Sequence, residues 1–380
     1  MREGTIGLYV HFPFCLRKCL YCDFPSYAQK DHLMDEYLKA IKVEVDHAKA
    51  KINSRRIKTV FLGGGTPTLY HEEELAQLLD YIKHSCLISD DAEITIEANP
   101  ETLNPRKLKV LMEAGINRLS IGMQAGQDRH LRALGRIHNI ADVERGVDWA
   151  RKAGFENINL DLMFGLPNQS VDEWLESLGC AVKMGVEHIS AYALIIEEGT
   201  TLYELVEKGR LRIPPEDVER DMYHRGVQFL KSQGYIHYEI SNFAIPGKEC
   251  RHNLLYWQNK EYIGLGSGAH SYLQGHRWSN YADICKYIDR IYEYGNGIEQ
   301  CEEISLSNQR FETIMMGLRL NSGVSKKIFR ERFGHGLEYY YGDVLENLKA
   351  MGMLIETETS IYLTAKGMDL QNSVLLHFME

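Results

Sequence analysis

Six short apolar runs, each followed by a longer stretch of helical periodicity, constrain this chain more than any other feature. The runs are Gly7–Phe12, Thr59–Leu62, Glu93–Glu97, Arg118–Met123, Asn157–Phe164 and His188–Ile196. Successive runs start roughly 25–50 residues apart, room for one crossover helix each time, which is the pattern of parallel βα units. The helix signals agree. Tyr37, Ile41, Val45 and Ala48 fall at helical intervals, and His71-Glu-Glu-Glu puts acid at a helix start. Asn104-Pro105 and Ser170-Val-Asp-Glu173 supply a first-turn proline and a capping-box spacing. With no seventh or eighth unit, the expected fold is α/β, a partial (β/α)6 barrel. At 380 residues the chain also has room for a smaller second module.

After Ile196 the pattern changes. Asp217–Gln233 reads as a helix and Tyr235–Phe243 as one more strand, before a break at Pro246. The segment from Cys250 to about Ile298 is dense in Tyr, Trp, His and Gly and reads as a connector. Helical stretches near Ser307–Leu320, Val324–Phe333 and Gly342–Met351 then precede two short runs, Met353–Glu356 and Ser360–Leu363, an order resembling a winged helix. The expected division is therefore 1–245 for the barrel, 246–303 for the connector and 304–380 for a winged-helix-like module. A winged helix raises nucleic acid as a partner, but residues 301–380 hold eight Lys and Arg against eleven Asp and Glu. The whole chain carries −10. That balance leaves no footprint for nucleic acid or anionic membrane and favours a packing or partner-facing module. No apolar run is long enough to span a bilayer, and Met1-Arg-Glu-Gly opens no secretory signal, so a cytoplasmic location with reduced thiols is expected.

Three of the eight cysteines lie within eight residues: Cys15-Leu-Arg-Lys-Cys19-Leu-Tyr-Cys22. They follow the first strand at its C-terminal end, where βα folds place their active sites. Thiolates select zinc or iron–sulfur clusters. A structural zinc wants four protein ligands, so this trio fits either zinc completed by a distant His or a cubane with one iron left open. Cys86, Cys180, Cys285 and Cys301 have no ligand spacing and read as small packing residues, as does Cys250, although it stands two before His252.

Gly63-Gly64-Gly65-Thr66-Pro67 ends the second run, where glycine lets backbone approach a ligand. Together with C-x3-C-x2-C one strand earlier, it resembles the radical S-adenosylmethionine (SAM) superfamily. Tyr9-Val-His-Phe-Pro-Phe-Cys15, Gly63–Thr68, Glu97-Ala-Asn-Pro100, Arg118–Gln124 and Asp161-Leu-Met-Phe-Gly-Leu-Pro167 are similar to the successive signatures of the coproporphyrinogen dehydrogenase/HemW group. The likeness covers nearly the whole chain. It implies that Cys15, Cys19 and Cys22 ligate a [4Fe–4S] cluster, and that Tyr9, Tyr21, Gly64, Gly65, Thr66, Glu97, Gln124, Arg136 and Asp161 line a SAM site. Glu97 would accept from the SAM ammonium, Arg136 neutralise a carboxylate, and Gln124 and Asp161 bond ribose hydroxyls.

Two departures separate the branches of that group. The dehydrogenase pattern resembles C-x3-C-x2-C-x-C, whereas here Phe24 follows Asp23; and only 14 residues precede Cys15, too few for the dehydrogenase's N-terminal extension. Both resemble the HemW-type heme chaperones, which implies heme as cargo, a respiratory hemoprotein as acceptor and a possible homodimer. His252-Asn253-Leu-Leu-Tyr256-Trp257 matches the H-N-x-x-Y-W signature of that branch and marks His252, Tyr256 and Trp257 as heme candidates, with His270 secondary. On residue types alone the same motif also reads as aromatic packing around a hydrogen-bonded His. The competing functions are oxidative decarboxylation of a porphyrinogen and radical-mediated heme modification. Gly264-Leu-Gly-Ser-Gly-Ala-His270-Ser lacks the strand–glycine–helix context of a nucleotide cradle and reads as close backbone packing.

Overall fold

The computed structural model describes residues 4–379. All six expected runs are strands: β1 (Thr5–Phe12), β2 (Arg56–Gly64), β3 (Ile88–Ala98), β4 (Arg118–Gln124), β5 (Ile158–Phe164) and β6 (His188–Ala193). Each pairs in parallel with the next. Alternation decides which side of each strand faces what. Leu8, Val10 and Phe12 of β1, like Ile94 and Ile96 of β3, join the main apolar core under the helices. Burying each such side chain contributes about 2 kcal/mol. The other side is polar: Tyr9 and His11, Glu93 and Glu97, Ser120 and Asp161 turn into the barrel. The helices between strands begin where their caps require. Asn104 accepts from the Lys107 amide with Pro105 in the first turn, and Ser170 and Glu173 form a reciprocal capping box.

The region after β6 departs from expectation. Tyr235–Phe243 is not one strand but a hairpin, β7 (Ile236–Glu239) and β8 (Asn242–Ala244), turning at Ile240-Ser241, which contains neither Gly nor Pro to announce it. The segment read as a connector supplies two helices, Arg251–Trp257 and Ile284–Tyr294, and four strands: β9 (Tyr262–Leu265), β10 (His270–Leu273), β11 (His276–Asn280) and β12 (Ile298–Glu303). β9 pairs in parallel with β1, so these strands extend the barrel sheet to twelve, in the order β12-β11-β10-β9-β1-β2-β3-β4-β5-β6-β8-β7. Glycines at 264, 266, 268 and 275 break their strand signal into pieces too short to read as strands.

Helix Arg251–Trp257 closes the N-terminal end of the barrel. Glu93 of β3 takes the Arg251 and His252 amides, both at 3.0 Å, and the Tyr238 hydroxyl of β7 takes the Cys250 amide at 3.3 Å. Three orphan amides of a helix start are thus satisfied by the strands of the barrel floor.

Residues beyond 304 form a second apolar core around Ile314, Phe329, Leu345 and Ile361. It comprises helices Leu306–Gly317, Lys326–Phe333 and Leu337–Ala350 with a three-stranded sheet, β13 (Val324–Ser325), β14 (Leu354–Glu356) and β15 (Ser360–Leu363). The third helix starts five residues before its expected start. Tyr341 leaves helical geometry at φ −135°, so the periodicity only becomes regular beyond it. No helix among the described residues is long and apolar enough to cross a membrane.

Candidate functional site

Cys15, Cys19 and Cys22 occupy one loop above β1, and that loop is closed by its own backbone: the Cys15 amide donates to the Tyr27 carbonyl and the Tyr27 amide to that of Pro13. Each sulfur has a polar neighbour. The Thr66 hydroxyl donates to Cys15 Sγ at 3.7 Å, Arg136 donates to Cys19 Sγ at 3.2 Å, and Cys22 Sγ pairs with the Ser26 hydroxyl at 3.7 Å. The first two are ends of one chain. Arg136 also donates to Asn99 Oδ1 at 2.6 Å, and Asn99 Nδ2 donates to Thr66 Oγ1 at 2.9 Å, so an unbroken series of hydrogen bonds runs from Cys19 to Cys15. Such donors hold thiolate geometry and tune a bound metal group. Among the described residues, no three His, Cys, Asp or Glu side chains gather as they would around a single metal ion. A cubane takes each thiolate on a different iron, so its ligands stand apart, and the donor set here fits that group.

The second element is glycine backbone. A Cβ at Gly65 would lie 2.6 Å from the Phe14 carbonyl and 3.0 Å from Cys15 Sγ, and one at Gly122 would lie 2.8 Å from Gln124 Nε2 and 2.9 Å from the Arg136 guanidinium. Gly64 sits at φ +112° and donates its amide to Glu97 Oε2 at 2.9 Å. Among the described residues no basic side chain hydrogen-bonds or ion-pairs with Glu97, and Arg118 acts on it only at a distance. Burial and then the nearby Asp161 push its carboxyl up to about 8. Such a carboxyl invites a cationic hydrogen-bond donor. Asp161 is oriented from both sides, by the Ser120 hydroxyl and the Asn159 amide at 2.9 Å each. Gln124 is held in the left-handed region at φ +64°, a strained conformation for a side-chain-bearing residue. Burial raises the Tyr9 and Tyr21 hydroxyls, so both stay protonated donors. Arg136 is already engaged with Cys19, Asn99 and the Gly122 carbonyl, so a ligand carboxylate would share its guanidinium rather than find it free.

The H-N-x-x-Y-W residues lie elsewhere. His252 is 1% exposed; Nδ1 bonds Thr59 Oγ1 at 2.8 Å, Nε2 bonds the Tyr256 hydroxyl at 2.9 Å, and the ring stacks on Phe61 at 5.2 Å. Burial, then the positive Arg118, pull its pKa down to about 3. Tyr256 also packs edge-on against Tyr262, and Trp257 lies under the Arg319 guanidinium at 4.5 Å. As folded, these three side chains secure the barrel floor and its contact with the C-terminal module. Both ring nitrogens of His252 are thus engaged within the fold, the packing side of the motif's two readings. His270 is exposed at the start of β10. Sequence reasoning assigned no role to Asn99 or His11, although both lie inside the quoted signatures and a polar residue at a strand's C-terminal end was a signal.

Family comparison fits this geometry. The radical SAM superfamily model matches residues 9–181 and the HemN C-terminal domain model residues 304–370. The heme chaperone HemW of Bacillus subtilis is 43% identical over 372 residues, 98% of either chain. The chain belongs to the HemW family of radical SAM proteins. HemW of Mycobacterium tuberculosis is 37% identical over 91% of each chain, and HemW of Escherichia coli 34% over 98% of each. The solved coproporphyrinogen III oxidase (HemN) of Escherichia coli, 22% identical, superposes with a TM-score of 0.86 over 98% of this chain and 90% of that one. HemN and this HemW family member therefore share a fold. Membership of the radical SAM superfamily implies a [4Fe–4S] cluster and SAM.

Proposed function

We propose that the protein is a heme chaperone, binding heme and passing it to respiratory hemoproteins, with a [4Fe–4S] cluster on Cys15, Cys19 and Cys22. The observation that carries the reading is Phe24, 62% exposed on the cysteine loop where the dehydrogenase pattern has a further cysteine. An exposed aromatic there offers no thiol chemistry, and its apolar surface suits a flat hydrophobic guest. When bound, the reduced cluster supplies an electron to SAM. The surrounding residues do the holding: Glu97 takes the ammonium of SAM, the Gly64 and Gly65 backbone approaches its methionine part, Arg136 takes a share of its carboxylate, and Gln124 and Asp161 take its ribose hydroxyls. Tyr9, Tyr21 and Thr66 complete the wall.

The experiment is anaerobic reconstitution of the full chain followed by heme titration and an assay with coproporphyrinogen III. A saturable shift of the Soret band without protoporphyrinogen formation is expected. Turnover of coproporphyrinogen III, or no Soret shift, would overturn the chaperone reading.

A further inference from the structure

The glycine-rich run Gly264–Ala269 lies outside the residues assigned above, yet it is wedged against the strand and loop that carry them. Between β9 and β10 the backbone turns through Gly266 and Gly268, at φ +99° and +69°. A Cβ at Gly266 would fall 2.5 Å from the Tyr37 hydroxyl and 2.6 Å from the His11 carbonyl oxygen; one at Gly268 would fall 3.2 Å from the Pro25 ring. Glycine is required at both positions by conformation and by space. Pro25 stands three residues after Cys22 on the cysteine loop.

Behind the turn, the fully buried Tyr37 takes the Ser267 amide and donates to the His11 carbonyl, both at 2.8 Å. Two turns along the same helix, Glu44 accepts from the Gly266 amide, the Asn280 side chain and the Tyr287 hydroxyl, each at 2.7 Å. In front of the turn, the His11 ring bonds the Pro25 carbonyl through Nε2 and Tyr9 through Nδ1, both at 2.9 Å. A carbonyl only accepts, so Nε2 carries the proton, Nδ1 accepts, and the Tyr9 hydroxyl donates. A second strut runs alongside, from the Tyr27 hydroxyl to the Ala282 carbonyl at 3.1 Å.

We propose that the Gly266–Gly268 turn, with Tyr37 and Glu44 behind it and His11 before it, is a bracket that sets the cysteine loop from its Pro25 end, making Tyr37 and His11 positioning residues for the cluster ligands. The inference rests on the reading of Cys15, Cys19 and Cys22 as those ligands. Through His11 the same bracket fixes the direction in which Tyr9 donates, so loop and SAM wall are set together.

Tyr37→Phe tests it, since the ring keeps its edge-on contact with Phe14 and only the hydroxyl is lost. Tyr70→Phe is the control: an equally buried hydroxyl that bonds Met34 and no part of the bracket. Hydrogen exchange is followed over residues 13–27 in the cluster-free chain, and iron release to a chelator and the electron paramagnetic resonance signal in the reconstituted chain. Tyr37→Phe should speed exchange in that loop and iron release at least about fivefold, the effect of losing even one of the hydroxyl's two hydrogen bonds, and alter the reduced-cluster signal; Tyr70→Phe should do neither. Glu44→Gln, which sets an NH2 donor against either the Gly266 amide or the Asn280 side-chain amide, should act in the same direction and serves if Tyr37→Phe does not fold. Loop exchange in Tyr37→Phe equal to that in Tyr70→Phe overturns the bracket. A wild-type chain that takes up no iron or sulfide overturns the cluster reading instead, and exchange alone then decides whether the turn holds the loop.

Discussion

Removing the His252 ring gives the most direct view of what the H-N-x-x-Y-W helix does. His252→Ala leaves the buried Thr59 hydroxyl and the Tyr256 hydroxyl without their shared partner and opens a void beside Phe61. An unpaired buried hydroxyl costs about 1–3 kcal/mol, and an imidazole-sized void adds about 2 kcal/mol. Counting the fully buried Thr59 hydroxyl and the void alone, the expected destabilisation is at least about 3–5 kcal/mol, read as a lower urea midpoint. The pH dependence gives an independent measure. His252 stays neutral when folded, with its pKa at about 3, but accepts a proton near 6.5 when unfolded. The unfolded chain therefore binds more protons between those values, and stability falls as pH drops below about 6.5, by up to about 1.4 kcal/mol per pH unit. His188, lowered by burial and by Arg118, acts in the same direction. His252→Gln should therefore shrink the acid slope without abolishing it. Heme added to either variant under folding conditions should shift the Soret band as in wild type, because the ring's two nitrogens serve Thr59 and Tyr256. Unchanged stability and acid slope, together with a lost Soret shift, would refute the reasoning and return His252 to the iron.

Other predictions concern the mouth of the barrel. Cys22→Ala, reconstituted anaerobically, should hold far less iron and sulfide than wild type, counted by colorimetry. Glu97 is raised to about 8, so the folded chain holds a proton that the unfolded chain has lost above about 4.5, and stability of the SAM-free protein should fall as pH rises from 6 to 8. Glu97→Gln should flatten that limb in thermal melts, leaving the part due to Glu44, which burial raises to about 7. Thr66→Val cuts the hydrogen-bond chain between Cys19 and Cys15 at its Cys15 end, and should speed cluster loss in air about fivefold or more; a lifetime equal to wild type would show the chain to be incidental.

The six barrel strands announce themselves because their outward faces are β-branched and leucine-rich, and their helices because caps such as Ser170–Glu173 are local in sequence. The cysteine loop and Gly63–Thr66 were readable for the same reason: each is a short motif at a strand end. What escaped reading depends on distant partners. The Ile240-Ser241 turn has no local signature, and β9–β12 become strands only by pairing with β1 and with one another. The H-N-x-x-Y-W motif shows the limit most clearly. Heme contact and aromatic packing call for the same residue types, and the partners that pack the motif, Thr59, 193 residues away, and Glu93, 159 away, are invisible within it.

The closed floor has a consequence for traffic. Glu93, Thr59 and Tyr238 clasp helix Arg251–Trp257 across the N-terminal end of the barrel, opposite the strand ends where the cysteines stand. On the reading proposed above, a small ligand at Glu97 would have to arrive before a large flat guest settled over Phe24. Loading and delivery would then share one threshold, and on that reading an acceptor would meet the protein at the cysteine rim.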